Sequence, residues 1–552
     1  MKRRHFLSVS TAIAGSVLLT QCSQSSKPSP SHEAQSHEAQ SHDTQKAAPA
    51  SNQSASNQSA SGQSASNTVY TSTNGLLDLD LEASYRTIEL NGQQATLMAY
   101  NGQVPGPRLE AKPGDTVRIR FTNNLPDPTN IHYHGLNISH SGNADNVFLS
   151  VEPGETFAYE FTIPKDHPAG TFWYHPHRHG FVADQVFAGL SGFFVVRGDL
   201  DDIPAIKAAS EAFVALKDFQ LDEEGNIATA DRMAVMMGRE GSLVTANAQI
   251  NPNLSIPTNG LLRLRLLNAS ISRFYRLQLE GHSMSLIATD GGALSEPVGI
   301  EELMLVPGER AEVLIRGNQT GGSYRLLNLP YSRGGMGMMH GGGMNGGMGG
   351  TNRSQGHSQG DAMEGMHMES AGTETTGRPA TETLALATLV YDGEADDSEA
   401  DNGDESSPTT ALPSRLISVV PLPAAQNTRR IELSMRMSFL RGMAFTLNDK
   451  TFDENRVDIQ VPLNTVEEWE IANVDTDMMD HPFHLHAASF QVISRNDQLE
   501  PYLAWKDTVL VRGGETLRIR MRFKDFAGKS VYHCHVLDHE ELGMMGVIDV
   551  QA

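Results

Sequence analysis

A thiol between two imidazoles, His533-Cys534-His535, lies near the end of this chain and constrains everything that can surround it. In an extended strand successive side chains point to opposite faces. Cys534 therefore faces one way and both histidines face the other. Chemistry-bearing side chains must then lie on both sides of a single strand. His539 and Met544 follow closely in the segment His533-Cys534-His535-Val536-Leu537-Asp538-His539, which runs on to Met544. A strand that gathers soft donors on one face and imidazoles on the other implies two adjacent metal centres.

The cysteine count sharpens this. The 552-residue chain has 2 cysteines, and the other is Cys22. Residues 1–22 are expected to be an export signal: Lys2-Arg3-Arg4-His5-Phe6-Leu7, then an apolar run ending Val17-Leu18-Leu19. That run is too short to span a bilayer as a mature helix. The arginine pair followed by Phe6-Leu7 resembles a twin-arginine signal. Leu19-Thr20-Gln21-Cys22 resembles a lipoprotein cleavage box, with an unusual Gln before the cysteine, and makes Cys22 a candidate lipid anchor. With Cys22 in the signal, Cys534 has no intramolecular disulfide partner. A lone thiol in an exported protein is an oxidation liability unless something uses it, and metal ligation is the simplest use. A net charge of −24 argues against nucleic-acid binding.

The length allows about three domains of roughly 150 residues. Residues 23–68 are repeats of Ser-His-[Glu/Asp]-x-Gln and then Ser/Asn/Gln/Ala, a composition that cannot bury a core and is expected to be a tether. From Val69 onward, short alternating runs such as Thr116–Phe121, Thr156–Ile163, Gly192–Val196, Leu261–Leu267, Arg310–Ile315, Glu467–Ile471 and Thr516–Phe523 are separated by Gly/Pro/Asn turns. This is the texture of β-sandwiches. Pro113-Gly114-Asp115-Thr116-Val117-Arg118-Ile119-Arg120 parallels Gly513-Gly514-Glu515-Thr516-Leu517-Arg518-Ile519-Arg520, so both ends of the chain are expected to carry related units. The expected units are 69–200, 201–392 and 415–552, with an acidic linker at 393–414. An insert at 334–368 breaks the second unit, holding eight methionines including Met336, Met338, Met339 and Met344 in a Gly/Ser background.

The C-terminal motif has companions: His132-Tyr133-His134-Gly135, Trp173-Tyr174-His175-Pro176-His177 and His481-Pro482-Phe483-His484-Leu485-His486. An H-x-H pair in a strand puts both imidazoles on one face. Two His, one Cys and a long Met are the donor set of blue-copper sites. Adjacent residues feeding two copper sites imply electron transfer between them, an oxidase pattern.

These four motifs resemble those of the multicopper oxidase family, in its three-domain bacterial laccase and cuprous-oxidase group, over roughly residues 70–552. The resemblance implies an all-β fold of three cupredoxin-like Greek-key sandwiches and four copper ions per chain. It implies His481, Cys534 and His539 on the type 1 copper with Met544 axial, and His132 and His484 on the type 2 copper. His134, His175, His177, His486, His533 and His535 would hold the type 3 pair. The cluster would then lie between the first and third domains. Asp145 and Glu540 resemble the acids that family members use to deliver protons. His140, His167, His179 and His282 are expected to stay outside the ligand set.

The implied reaction couples one-electron oxidation of Cu(I) or phenols to four-electron reduction of dioxygen to water. Thioethers are soft ligands suited to Cu(I), and the insert with Asp477, Met478 and Met479 resembles the methionine-rich substrate sites of cuprous oxidases. The alternatives are a general phenol laccase with no copper-handling role, a nitrite reductase-like protein, or a small electron carrier. The eight histidines outside the type 1 set count against the last two. A monomer with a role in copper tolerance completes the expectation.

Overall fold

The computed structural model describes residues 68–319, 321–334, 382–392, 411–438, 442–475, 479–486 and 488–552. The expected export signal with Cys22, nearly all of the tether and the methionine insert, and most of the acidic linker lie outside these residues, as do Asp477 and Met478.

Six β-sheets pair into three sandwiches along the chain. Their strands are short and two-faced for a simple reason. In Thr116–Asn123, Val117, Ile119 and Phe121 are buried, while Arg118 and Arg120 on the other face pair with Glu160, Asp78 and Asp80. Burying each such apolar side chain stabilises the fold by roughly 1.5–3 kcal/mol, whereas the exposed ion pairs contribute little. The first sandwich closes over Leu79, Ile119, Phe121, Tyr133 and Phe194. The second closes over Leu264, Leu266, Leu277 and Val313, and the third over Trp469, Ile519, Phe483 and Tyr532.

One pairing recurs in all three. Leu76–Leu90 lies parallel to Thr116–Asn123, Ser210–Phe219 parallel to Leu261–Asn268, and Asn427–Ser438 parallel to Val466–Asn473. Parallel neighbours need crossover connections, so these sheets are Greek keys rather than meanders. The fold class is the expected one: all-β, three cupredoxin-like sandwiches.

The internal repeat is real, but the two segments matched in sequence are not topological equivalents. Thr116–Asn123 occupies the place of Val466–Asn473, next to the parallel partner. Thr516–Arg522 instead corresponds to Thr156–Thr162, each lying antiparallel to that inner strand. The middle sandwich has Arg310–Arg316 there, antiparallel to Leu261–Asn268. Pro153-Gly154-Glu155, Pro307-Gly308-Glu309 and Gly513-Gly514-Glu515 precede these three strands. In every case the glutamate carboxylate accepts a backbone N–H three residues upstream: Glu152, Val306 and Arg512 at 2.8–2.9 Å. The same turn chemistry also opens Thr116–Asn123, which is why the sequences matched out of step.

Candidate metal centre

The first and third sandwiches bring the four histidine motifs together. His132–His134 pairs antiparallel with Gly170–His175, setting His132 opposite His175. His481–Leu485 pairs antiparallel with Gly528–Cys534, setting His484 opposite His533 and Phe483 opposite Cys534. Strand alternation accounts fully for His132 and His134. His177, His486 and His535 instead lie just beyond their strands' ends, so local contacts must place them. The His177 N–H, for example, donates to Asn130 Oδ1 at 2.6 Å.

On one face of the strand Gly528–Cys534, Cys534 Sγ lies 3.4 Å from His481 Nδ1 and 3.9 Å from His539 Nδ1, with the two nitrogens 3.3 Å apart. An ion bound trigonally, with metal–N of about 2.0–2.1 Å and metal–S of about 2.3 Å, spans edges of roughly 3.5 Å and 3.8 Å. The pocket has that size. Met544 and Met479 are buried in the same apolar cluster as Cys534.

On the other face, eight buried or nearly buried imidazoles converge: His132, His134, His175, His177, His484, His486, His533 and His535. In five of them a hydrogen bond to the outer nitrogen sets which nitrogen turns inward. His132 Nδ1 meets the Asp145 carboxylate at 2.9 Å, leaving Nε2 without a partner. His484 Nδ1 donates to the Asp507 carbonyl at 2.8 Å, leaving Nε2 likewise. His175 Nδ1 donates to the Pro176 carbonyl at 2.9 Å, and His134 Nε2 donates toward Asp507 Oδ1 at 3.1 Å. The inward lone pairs of His134 Nδ1 and His175 Nε2 then face each other at 3.4 Å. His533 Nδ1 donates to the Cys534 carbonyl, and its free Nε2 meets His486 Nε2 at 2.9 Å and His177 Nε2 at 3.2 Å.

Facing lone pairs repel, and an orphaned buried polar atom costs about 1–3 kcal/mol. A shared cation resolves both problems. Burial pushes the histidines well below their ordinary range, His177, His481 and His484 to about 3, so they stand neutral as metal ligands must. Burial pushes the Cys534 thiol up, and a bound metal would reverse that. The donor set of two His, one Cys and a Met fits copper.

Both candidate acids sit against the cluster. Asp145 also accepts the Tyr133 N–H at 2.9 Å, and burial raises it to about 7. Glu540 is fully buried and has no hydrogen-bond partner; Oε2 lies 3.0 Å from His533 Nδ1, whose proton goes to the Cys534 carbonyl, and burial raises its pKa. The four extra histidines stay outside. His179 packs on Phe452 beside Glu541, and His140 and His167 bond backbone groups. His282 bonds Tyr391.

Sequence reasoning missed three groups. Asp507 and Thr508 buttress His134 and His484, and nothing in their spacing from the histidines marks them. Arg310, from the middle sandwich, clasps Asp507 through Nη1 at 2.8 Å and Nη2 at 2.5 Å. Burial alone would raise Asp507, but Arg310 more than offsets it and holds the carboxyl below the usual range. The third group is the short helix Arg232–Met237, whose Met237 packs on the Cys534 cluster and whose Met236 backbone lies against His539.

The comparisons agree with this geometry. Family models described as multicopper oxidase match residues 82–201, 215–342 and 423–552. The multicopper oxidase of Campylobacter jejuni, described as a metallo-oxidase, is 31% identical with a TM-score of 0.70, covering 87% of this chain and 92% of its own. A laccase-like multicopper oxidase from Ochrobactrum sp. is 25% identical with a TM-score of 0.69, covering 88% of this chain and 99% of its own. Multicopper oxidase mco of Staphylococcus aureus is 28% identical over 489 residues, 86% of this chain and 89% of that protein. The chain belongs to the multicopper oxidase family. It is an oxidoreductase that couples oxidation of a reducing substrate to reduction of dioxygen.

Proposed function

We propose that the chain holds four copper ions and oxidises Cu(I), with phenols as secondary donors. His481, Cys534, His539 and Met544 would hold the type 1 ion and His132 and His484 the type 2 ion. His134, His175, His177, His486, His533 and His535 would hold the type 3 pair. The observation that carries this assignment is the set of inward, proton-free imidazole nitrogens, above all the opposed lone pairs of His134 and His175. Bound copper would supply single-electron transfer and the four reducing equivalents that turn dioxygen into two waters. The backbone from Cys534 to His533 and His535 provides the link between the two sites. Burial raises Asp145, at His132 Nδ1, to about 7 and also raises Glu540, at His533 Nδ1, and both would pass protons to the reduced oxygen.

Soft donors beside the type 1 residues favour Cu(I) as the substrate. The Met237 side chain packs on the apolar cluster that contains Cys534, and the Met236 backbone lies against His539. Three residues before the insert begins, the Tyr331 hydroxyl bonds Asp480 at 2.7 Å. Asp480 precedes His481, and its N–H donates to the Arg333 carbonyl at 2.8 Å. The insert of 334–368, with Met336, Met338, Met339 and Met344, thus leaves the fold beside the type 1 residues, and with Asp477 is proposed to pass Cu(I) to them. Export by a twin-arginine signal, anchoring through Cys22 and a monomeric state in copper tolerance complete the proposal.

Oxygen uptake with Cu(I) and then a bulky phenol as sole donor tests it. Faster turnover with Cu(I), lost when 334–368 is deleted, is the expected result. Equal phenol turnover unchanged by the deletion would make the protein a general laccase.

A further inference from the structure

Among the described residues the middle sandwich contributes no candidate ligand to the cluster, yet one of its side chains grips Asp507, which bonds the cluster histidines. In the three equivalent turns the residue after the glutamate is Thr156, Arg310 and Thr516. Two sandwiches place a small hydroxyl there, and the middle one places a guanidinium, fully buried.

All five N–H groups of that guanidinium are used. Nε donates to the Thr171 carbonyl at 3.2 Å, from the first sandwich. Nη1 donates to the Gly308 carbonyl at 2.9 Å and Nη2 to the Asp290 carbonyl at 3.0 Å. The remaining two grip both oxygens of Asp507, from the third sandwich, the bidentate geometry that arginine and not lysine can supply. Asp507 in turn spends Oδ1 on His134 Nε2 at 3.1 Å and its carbonyl on His484 Nδ1 at 2.8 Å. Thr508 Oγ1 bonds the Asp507 carboxylate at 2.9 Å and lies 3.2 Å from His134 and 3.1 Å from His484 on the same nitrogens. The two imidazoles so held are stacked, with centroids 3.9 Å apart, and come from different sandwiches. Gly308, two residues before Arg310, admits no side chain because a Cβ there would lie 2.9 Å from His535 Nε2.

A buried carboxylate without its arginine would be unpaired, and breaking such a pair is strongly destabilising locally. Asp507 would then recruit a proton or turn away, His134 would lose the carboxylate that fixes its tautomer, and the backbone carbonyl that holds His484 would lose its anchor.

We propose that Arg310 is the positioning residue of the trinuclear copper cluster, acting through Asp507 to hold the ring nitrogens that His134 and His484 present to the metal. The inference rests on the copper assignment above. It gives the middle sandwich a part in the chemistry that its lack of ligands conceals.

The test uses the full copper-loaded chain with Arg310→Lys, Arg310→Gln and the near-isosteric Asp507→Asn. Copper per chain is measured together with the paramagnetic resonance signals of blue and non-blue copper. All three variants should keep the blue signal and bind copper at the cluster tenfold or more weakly, the size typical when a ligand's outer partner is lost. Asp507→Asn, which preserves shape, should still shift the non-blue signal even if the arginine variants unfold. Glu312→Gln serves as the control, since Glu312 ties Thr171 to Arg263 and Arg265 across the same interface without touching Asp507. Its expected effect is confined to stability. Unchanged non-blue signals and full copper in Asp507→Asn and Arg310→Gln would overturn the inference. So would an equal disturbance in Glu312→Gln, which would make Arg310 mere interdomain glue. Wild-type protein with only blue copper would overturn the cluster assignment itself, and this inference with it.

Discussion

Gly135→Ala probes how tightly the cluster's supports are packed. Gly135 follows His134 and has φ +88. A Cβ there would stand 2.4 Å from Arg310 Nη2, 2.5 Å from Asp507 Oδ2 and 3.0 Å from Phe172 Cδ1. Arginine tips usually yield to such contact, but this one cannot retreat without surrendering several of its five hydrogen bonds. The left-handed backbone costs an alanine roughly 1–2 kcal/mol. Prising apart a buried ion pair costs about 3–5 kcal/mol. Together these give about 4–7 kcal/mol, and at about 2–4 °C per kcal/mol the Tm should fall by roughly 10 °C or more. Scanning calorimetry at a fixed rate, with copper content measured in parallel, reads both consequences. The variant should melt early and load the cluster poorly while the blue site fills. A Tm within about 3 °C of wild type, with full copper, would show that the guanidinium and carboxylate are not locked and would refute the reasoning.

Other substitutions separate the remaining parts. Asp145→Asn removes the carboxylate from His132 and should slow reoxidation of the reduced enzyme by dioxygen about 10–100-fold; rapid mixing should show reduction of the blue site unaffected, and an unchanged reoxidation rate would exclude Asp145 from the oxygen half-reaction. Met236→Leu with Met237→Leu removes thioethers from the short helix beside the type 1 residues and should raise the KM for Cu(I) while leaving phenol kinetics alone; equal effects on both donors would show the helix acts only by packing. Lys217 is wholly buried, its ammonium donating to the Val186 and Ala269 carbonyls, and burial lowers its pKa to about 7. The unfolded chain keeps that proton up to about pH 10.4, so the cost of the buried charge is full below pH 7 and is relieved as pH rises above it. Wild type should therefore gain stability over Lys217→Met between pH 7 and 9, by at most about 1.4 kcal/mol per unit, and parallel melting curves across that range would contradict the shift.

The sequence carried the candidate ligands more plainly than the scaffold that orders them. Histidine pairs around a lone cysteine are a local pattern, and the alternation that sends Cys534 one way and His533 and His535 the other operates over three residues. Arg310 and Asp507 are 197 residues apart, and each has an ordinary strand-end setting, so only the tertiary fold reveals them as a pair. His177, His486 and His535 converge with the other imidazoles although they lie past the ends of regular strands, where alternation does not operate. The repeat was visible, yet its register was not: a turn of Gly, an acid and then a strand serves two different places in a sandwich, and the parallel pairing that distinguishes them leaves no mark on either segment.

Dioxygen consumed per electron donated, with hydrogen peroxide assayed in the same vessel, tests the central claim most directly. The copper-loaded protein should consume one dioxygen for every four one-electron equivalents and release no peroxide, because the eight converging imidazoles would hold the coppers that supply all four electrons to one dioxygen. One dioxygen for every two equivalents, with peroxide appearing in step, would contradict that account of the site.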